Sequence, residues 1–110
     1  MKKRVILILI ILILSNINLI SPALADDING TQIFSVHCAG CHINGSNIIR
    51  RGKNLKMKAL KKNHMDSIEA IASIVTNGKN NMSAYKDRLT EQQIQDVAAY
   101  VLEQAEKNWR

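Results

Sequence analysis

The sequence is poor in the features that organise most folds of its length. Its single proline is Pro22, so nothing after that position interrupts a helix by removing a backbone donor. Beyond residue 25 there is no strand-like alternation, no internal repeat and no low-complexity tract, which leaves an all-α domain. One Phe, one Trp and two Tyr give little material for a large core. Domains this small commonly lean on a disulfide, a metal or another bound group. The two cysteines allow one disulfide at most, and acidic residues number nine against fifteen basic ones.

The first residues are of a different kind. Lys2, Lys3 and Arg4 precede an apolar run from Val5 to Leu14, and small residues follow at Ala23 and Ala25. This order reads as a secretory signal peptide over residues 1–25, cleaved between Ala25 and Asp26. The run is short of the roughly 20 apolar residues of a spanning helix, so no stable membrane anchor is expected. Removing the leader takes three of the fifteen basic residues and lowers the net charge from +6 to +3. Residues 26–110 then form one domain in an oxidising compartment, where two cysteines would ordinarily pair. Their spacing argues otherwise.

Three helices are expected. Asp27 can cap a first one, with Gly30, Ile33, Phe34 and His37 on one face, which runs into the cysteine segment. Residues 43–63 lack periodicity and read as a long loop with a short helical turn in it. A second helix starts at Asp66, takes Glu69 as capping-box partner, carries Ile68, Ile71, Ala72 and Val75, and stops at Gly78. In the third, Thr90 and Gln93 form a capping box ahead of the apolar stripe Ile94, Val97, Ala98, Val101, Leu102 and Ala105. Lys107 and Arg110 suit its C-terminal dipole.

Cys38-Ala39-Gly40-Cys41-His42 is C-x-x-C-H, the attachment signature of a c-type haem. Two thiols at that spacing can add to the two haem vinyl groups as thioethers, and the histidine that follows is placed to coordinate iron. Cys38 and Cys41 are thus the covalent anchors of one haem c, and His42 an axial ligand. A thioredoxin-like redox pair would need a βαβ context, which is absent. A zinc site would want a fourth donor, and His37 and His64 are the only other histidines. For the sixth position Met57, Met65, Met82 and His64 are available. Met82 is the strongest of them, because it lies in the irregular segment Lys79-Asn80-Asn81-Met82-Ser83, whereas Met65 precedes a helix cap and is placed to pack. His/Met ligation raises the potential and suits an electron carrier, not an enzyme.

The stretch Val75 to Tyr85, with Arg88-Leu89, Asp96 to Leu102 and Gln104 to Trp109, closely resembles the cytochrome c6 family. The resemblance runs from Gly30 to Trp109. It implies a small class I cytochrome c fold around one haem, in which the N-terminal helix crosses the C-terminal helix where Gly30 and Phe34 meet Tyr100. It also implies Met82 as the sixth ligand and Asn47 as a partner for a haem propionate. The activity it implies is transfer of single electrons from cytochrome f of the cytochrome b6f complex to photosystem I, by a monomer in the thylakoid lumen of a plastid or cyanobacterium. A bacterial periplasmic carrier serving a terminal oxidase or peroxidase is the alternative. Departures from the family are Ser83 in place of Pro, Lys86 and Asp87 in place of a Gly pair, and Ile74 in place of Gln. Relatives with an aliphatic residue at the last position tend to lower potentials, while a less polar site by itself disfavours the more charged ferric state and acts the other way.

Between Arg50 and Lys62 stand seven cations, Arg50, Arg51, Lys53, Lys56, Lys58, Lys61 and Lys62, with no acidic residue among them. The stretch reads as a solvated loop or as a docking patch for acidic partners. Export and the haem motif argue against nucleic acid as the partner.

Overall fold

A computed structural model describes residues 2–14 and 29–110. Helix α1, Lys2–Leu14, exposes its apolar side chains from Val5 to Ile11. Among the described residues no helix is long and apolar enough to cross a membrane. The expected cleavage point after Ala25 and the expected cap at Asp27 lie outside the described residues.

Residues 29–42 are helical without a break but not of one kind. Helix α2 covers 29–33, a π-helical turn covers Phe34–Cys38, and α3 covers Ala39–His42. The N–H of Ala39 donates to the carbonyl of Phe34, five residues back. That wide turn corrects the expected apolar face: Gly30, Ile33 and Phe34 are buried, but His37 is exposed. An extra residue in the turn rotates everything after it by about 100°. Cys38 takes the place due to His37 and packs against the core.

After the motif come two 3-10 turns, Ile43–Gly45 and Arg51–Lys53, and a short helix α4, Met57–Lys62. The expected loop is therefore partly helical. Helix α5 spans Ile68–Asn77. Its cap is Ser67, whose side chain accepts from the N–H of Ala70, one residue later than the expected Asp66. Glu69 sits in the first turn, where its charge suits the positive end of the helix. Gly78 ends α5 as expected, with φ of 69° and its N–H on the carbonyl of Ile74. Helix α6, Glu91–Glu106, opens with the complete Thr90–Gln93 capping box. It stops before Lys107, which pairs with Glu103 one turn back.

The core is the meeting of α2, α5 and α6. Ile71, Ala72 and Val75 from α5 and Ile94, Val97, Ala98 and Val101 from α6 join Ile33 and Phe34 in one cluster. No strand occurs among the described residues. Helix α2 crosses α6 at Gly30, where a Cβ would come within 2.6 Å of the Asp96 carbonyl oxygen and 2.7 Å of Tyr100 Cβ. The bare backbone permits that approach. One turn on, the Phe34 ring lies 5.3 Å from Tyr100 and 5.2 Å from Trp109, so the crossing is closed by three aromatic rings. The expected contact of Gly30 and Phe34 with Tyr100 is thus found. Gly30→Ala forces a methyl group into the α6 backbone and is expected to destabilise the protein by about 1–3 kcal/mol, as overpacking does; equilibrium denaturation checks it, and an unchanged midpoint would show that the helices separate at no cost.

Candidate haem-binding site

Cys38 ends the π turn and caps α3, whose single turn carries Cys41 and His42. Cys38 is half-buried and Cys41 exposed, and the two are not joined by a disulfide. Burial pushes the Cys38 thiol up to about 11. His42 is half-buried, and its Nδ1 lies 2.9 Å from the backbone carbonyl oxygen of Ser46. A carbonyl only accepts, so this contact puts the ring proton on Nδ1 and leaves the Nε2 lone pair for a metal.

The Ser46 carbonyl reaches His42 because the chain doubles back at once. Asn44 and Gly45 take left-handed conformations, φ 52° and 77°, and both the N–H and the hydroxyl of Ser46 donate to the Ile43 carbonyl. Ile48 then donates its N–H to the Cys41 carbonyl at 3.0 Å. Gly45 lies against the indole of Trp109, which a Cβ would strike. Trp109 in turn donates Nε1–H to the Leu55 carbonyl at 3.0 Å, and Leu55 donates its N–H back to Gly45 at 2.7 Å. The turn that orients His42 is thereby closed from behind by the end of the chain.

Asn47 serves the same loop. Its Oδ1 accepts from the N–H groups of Ile49 and Arg50, and its Nδ2 donates to the Lys53 carbonyl, which leaves one amide proton uncommitted. Beside the motif, Ile43, Ile48 and Ile49 are exposed by 56%, 62% and 56%. Apolar surface of this extent next to two thiols and an imidazole with a free Nε2 fits a large, flat, largely apolar group fixed at that edge. An open hollow of about 540 Å³ adjoins it, lined by Ser46, Asn47, Ile48, Arg51, Asn54 and Lys56, whose cations and amides suit carboxylates.

Met82 is half-buried against the core in the segment that links α5 to α6. Lys79 and Met82 exchange both backbone hydrogen bonds at 3.0 Å, and Gly78 lies so close beneath that a Cβ there would meet the Met82 carbonyl at 2.6 Å. Ile74 is half-buried in the last turn of α5, at the base of this segment. The other sulfur and nitrogen candidates are placed elsewhere: Met57 within α4, Met65 closing α4 through its N–H to Leu60, and His64 exposed with φ 57°. His37 is exposed and stacks edge-on against Tyr85. Ser46, Trp109 and Tyr85 are contributors that the sequence reading misses; of these only the turn is signalled, by Asn44-Gly45.

All seven cations from Arg50 to Lys62 are exposed. Lys53 donates to the Asn63 side chain at 2.7 Å. The ion pair found among the described residues, Lys107 with Glu103, lies outside the stretch.

Comparison with known proteins agrees with this geometry. Residues 25–101 match the family described as cytochrome C oxidase, cbb3-type, subunit III. A "cytochrome c6-like" protein of Nostoc sp. strain PCC 7120 is 71% identical, with 100% of each chain covered. A cytochrome c6 of the same organism is 50% identical over the same full extent. The crystal structure of cytochrome c6C from Synechococcus sp. PCC 7002 superposes with a TM-score of 0.70 at 59% identity, covering 72% of this chain and 96% of that one.

Gly45→Ala tests the clamp on the turn. It adds a Cβ at a left-handed position against the Trp109 indole and is expected to cost about 1–3 kcal/mol and to weaken the hold on His42. Thermal melts together with the ligand-field spectrum of the haem-loaded protein read both effects; a variant with wild-type stability and spectrum would separate Trp109 from the site.

Proposed function

This chain belongs to the cytochrome c6 family and, over residues 25–101, to the c-type family described for subunit III of cbb3-type cytochrome c oxidase, and from that membership we propose that it carries one haem c and shuttles single electrons from cytochrome f of the cytochrome b6f complex to photosystem I. Members of the cytochrome c6 family are electron carriers with covalently bound haem, not enzymes. Cys38 and Cys41 would anchor the haem through thioethers, and His42 and Met82 would hold its iron. The working compartment is the thylakoid lumen, reached after cleavage behind Ala25, and the working form a monomer.

The observation that carries the reading is the His42–Ser46 hydrogen bond, since it engages Nδ1 and turns Nε2 to a metal beside two unpaired thiols. When bound, the haem iron supplies the Fe(III)/Fe(II) couple. The chain's own residues would do the rest: His42 and Met82 would hold the iron from fixed positions, and the surrounding apolar side chains would limit water at the group. The free amide proton of Asn47 and the side chains of Arg51 and Lys56 are available to the propionates. Ile74 contributes an aliphatic wall at the base of the Met82 segment.

The basic stretch is proposed to steer the protein onto acidic partners. Its cations are solvent-facing, so their contribution is to encounter rate and is screened by salt. A second reading, delivery of electrons to a terminal oxidase, is favoured by the description of the family that residues 25–101 match. Flash-induced oxidation by photosystem I particles separates the two: rapid oxidation of the reduced protein supports the first reading, and none, with turnover by an oxidase, supports the second.

Two predictions follow from the ligand and patch assignments. The ferric protein is expected to show the weak long-wavelength charge-transfer band of an iron–thioether bond, and Met82→Ala to abolish it. Survival of that band in the variant would reassign the ligand to Met57 or Met65. Reversing charge at Lys58 and Lys61 is expected to slow association with an acidic partner about tenfold at low salt, with the difference closing as salt rises. Stopped-flow mixing over a salt series measures this, and salt-independent rates in the unmodified protein would dismiss the patch.

A further inference from the structure

The segment that carries Met82 has no stiffening ring of its own, because Ser83 follows the methionine and Lys86-Asp87 open the turn beyond it. It is held from outside by Tyr85. The Tyr85 N–H donates to the Val75 carbonyl in α5 at 2.9 Å, and its carbonyl accepts from both Arg88 and Leu89 at 2.9 Å on the way to α6. Its side chain goes in a third direction. The hydroxyl donates to the backbone carbonyl of His37 at 3.0 Å, across 48 residues of sequence. The ring is fixed on two further contacts, the edge of His37 at 5.8 Å and the Arg88 guanidinium 5.0 Å from its centroid.

Tyr85 therefore joins two separate parts of the chain. His37 directly precedes Cys38, in the helical run that delivers the cysteines and His42, while Tyr85 stands three residues after Met82. Besides the packing of Met82 on the core, the segment's other backbone hydrogen bonds to earlier residues, the Lys79–Met82 pair and the Tyr85–Val75 and Lys86–Thr76 bonds, reach only back into itself or into α5. We propose that Tyr85 is the positioning residue for the methionine ligand: its hydroxyl straps the Met82 segment to the cysteine helix and keeps the thioether on the iron. This rests on Met82 being the sixth ligand. The bond is exposed, so its loss frees the segment without unfolding the core.

A methionine that leaves the iron part of the time yields its place to an added ligand, and the apparent affinity of that ligand scales with the fraction of open sites. Tyr85→Phe keeps the ring, with its His37 and Arg88 contacts, and removes only the hydroxyl. Imidazole titrated into the ferric haem-loaded protein should bind the variant about 2- to 12-fold more tightly than the wild type, the range of one net hydrogen bond. In a Met82→Ala background the site is already open, and Tyr85→Phe should there change imidazole affinity by less than about twofold.

The outcomes are distinct. If the wild-type ferric protein lacks the iron–thioether band, the ligand reading fails and the inference with it. If the band is present but Tyr85→Phe leaves imidazole affinity unchanged, the ligand reading stands and the strap is overturned. An equal gain in both backgrounds also overturns the strap, because the hydroxyl then acts other than through Met82.

Discussion

The site depends on one hydrogen bond, from Nδ1 of His42 to the carbonyl of Ser46 at 2.9 Å. Its net worth in stability is modest, on the order of 1 kcal/mol for a partly buried neutral pair. Its structural consequence is larger, because it selects the imidazole tautomer and the ring's orientation together. Much of the nearby architecture serves it. The left-handed turn at Asn44 and Gly45 brings the carbonyl round, and the Trp109 indole against Gly45 and the Leu55 carbonyl keeps the turn shut. Trp109 is itself seated on Phe34 and Tyr100, so the last residues of the chain and the helix crossing support His42 through two layers of contact.

The helical run into the motif shows a second constraint. Gly30 must meet the backbone of α6, and Phe34 must reach the aromatic cluster, while Cys41 must face outward four residues beyond His37. A regular helix cannot meet all three demands in this sequence. The π turn at Phe34–Cys38 inserts the needed residue, takes His37 out of the buried stripe and seats Cys38 against the core. The exposed His37 carbonyl side of that turn is also where Tyr85 attaches, so the same irregularity links the cysteine segment to the Met82 segment.

What was legible in the sequence was local. The Thr90–Gln93 box, the stop at Gly78 and the stripe from Ile94 to Ala105 each follow from interactions within one or two turns, and each is found. The misses have equally specific causes. Asp66 and Ser67 are both good caps, and the choice of Ser67 is made by where Ile68, Ile71 and Val75 must face. His37 was assigned by a 3.6-residue period that the π turn breaks. Ser46 acts through its backbone carbonyl, which every residue possesses, so no side-chain pattern could have announced it. Trp109 and Tyr85 act across 54 and 48 residues, beyond the reach of periodicity. Asn47, which the resemblance makes a partner for a haem propionate, has its amide largely spent on the loop, with one proton left over.

The account stands most directly on the protonation state of one ring. In the reduced, haem-loaded protein labelled with 15N-histidine, His42 is expected to give an Nδ1–H resonance that exchanges slowly with solvent and shows a contact to Ser46. A proton on Nε2, or an Nδ1–H exchanging as freely as that of exposed His37, would contradict it.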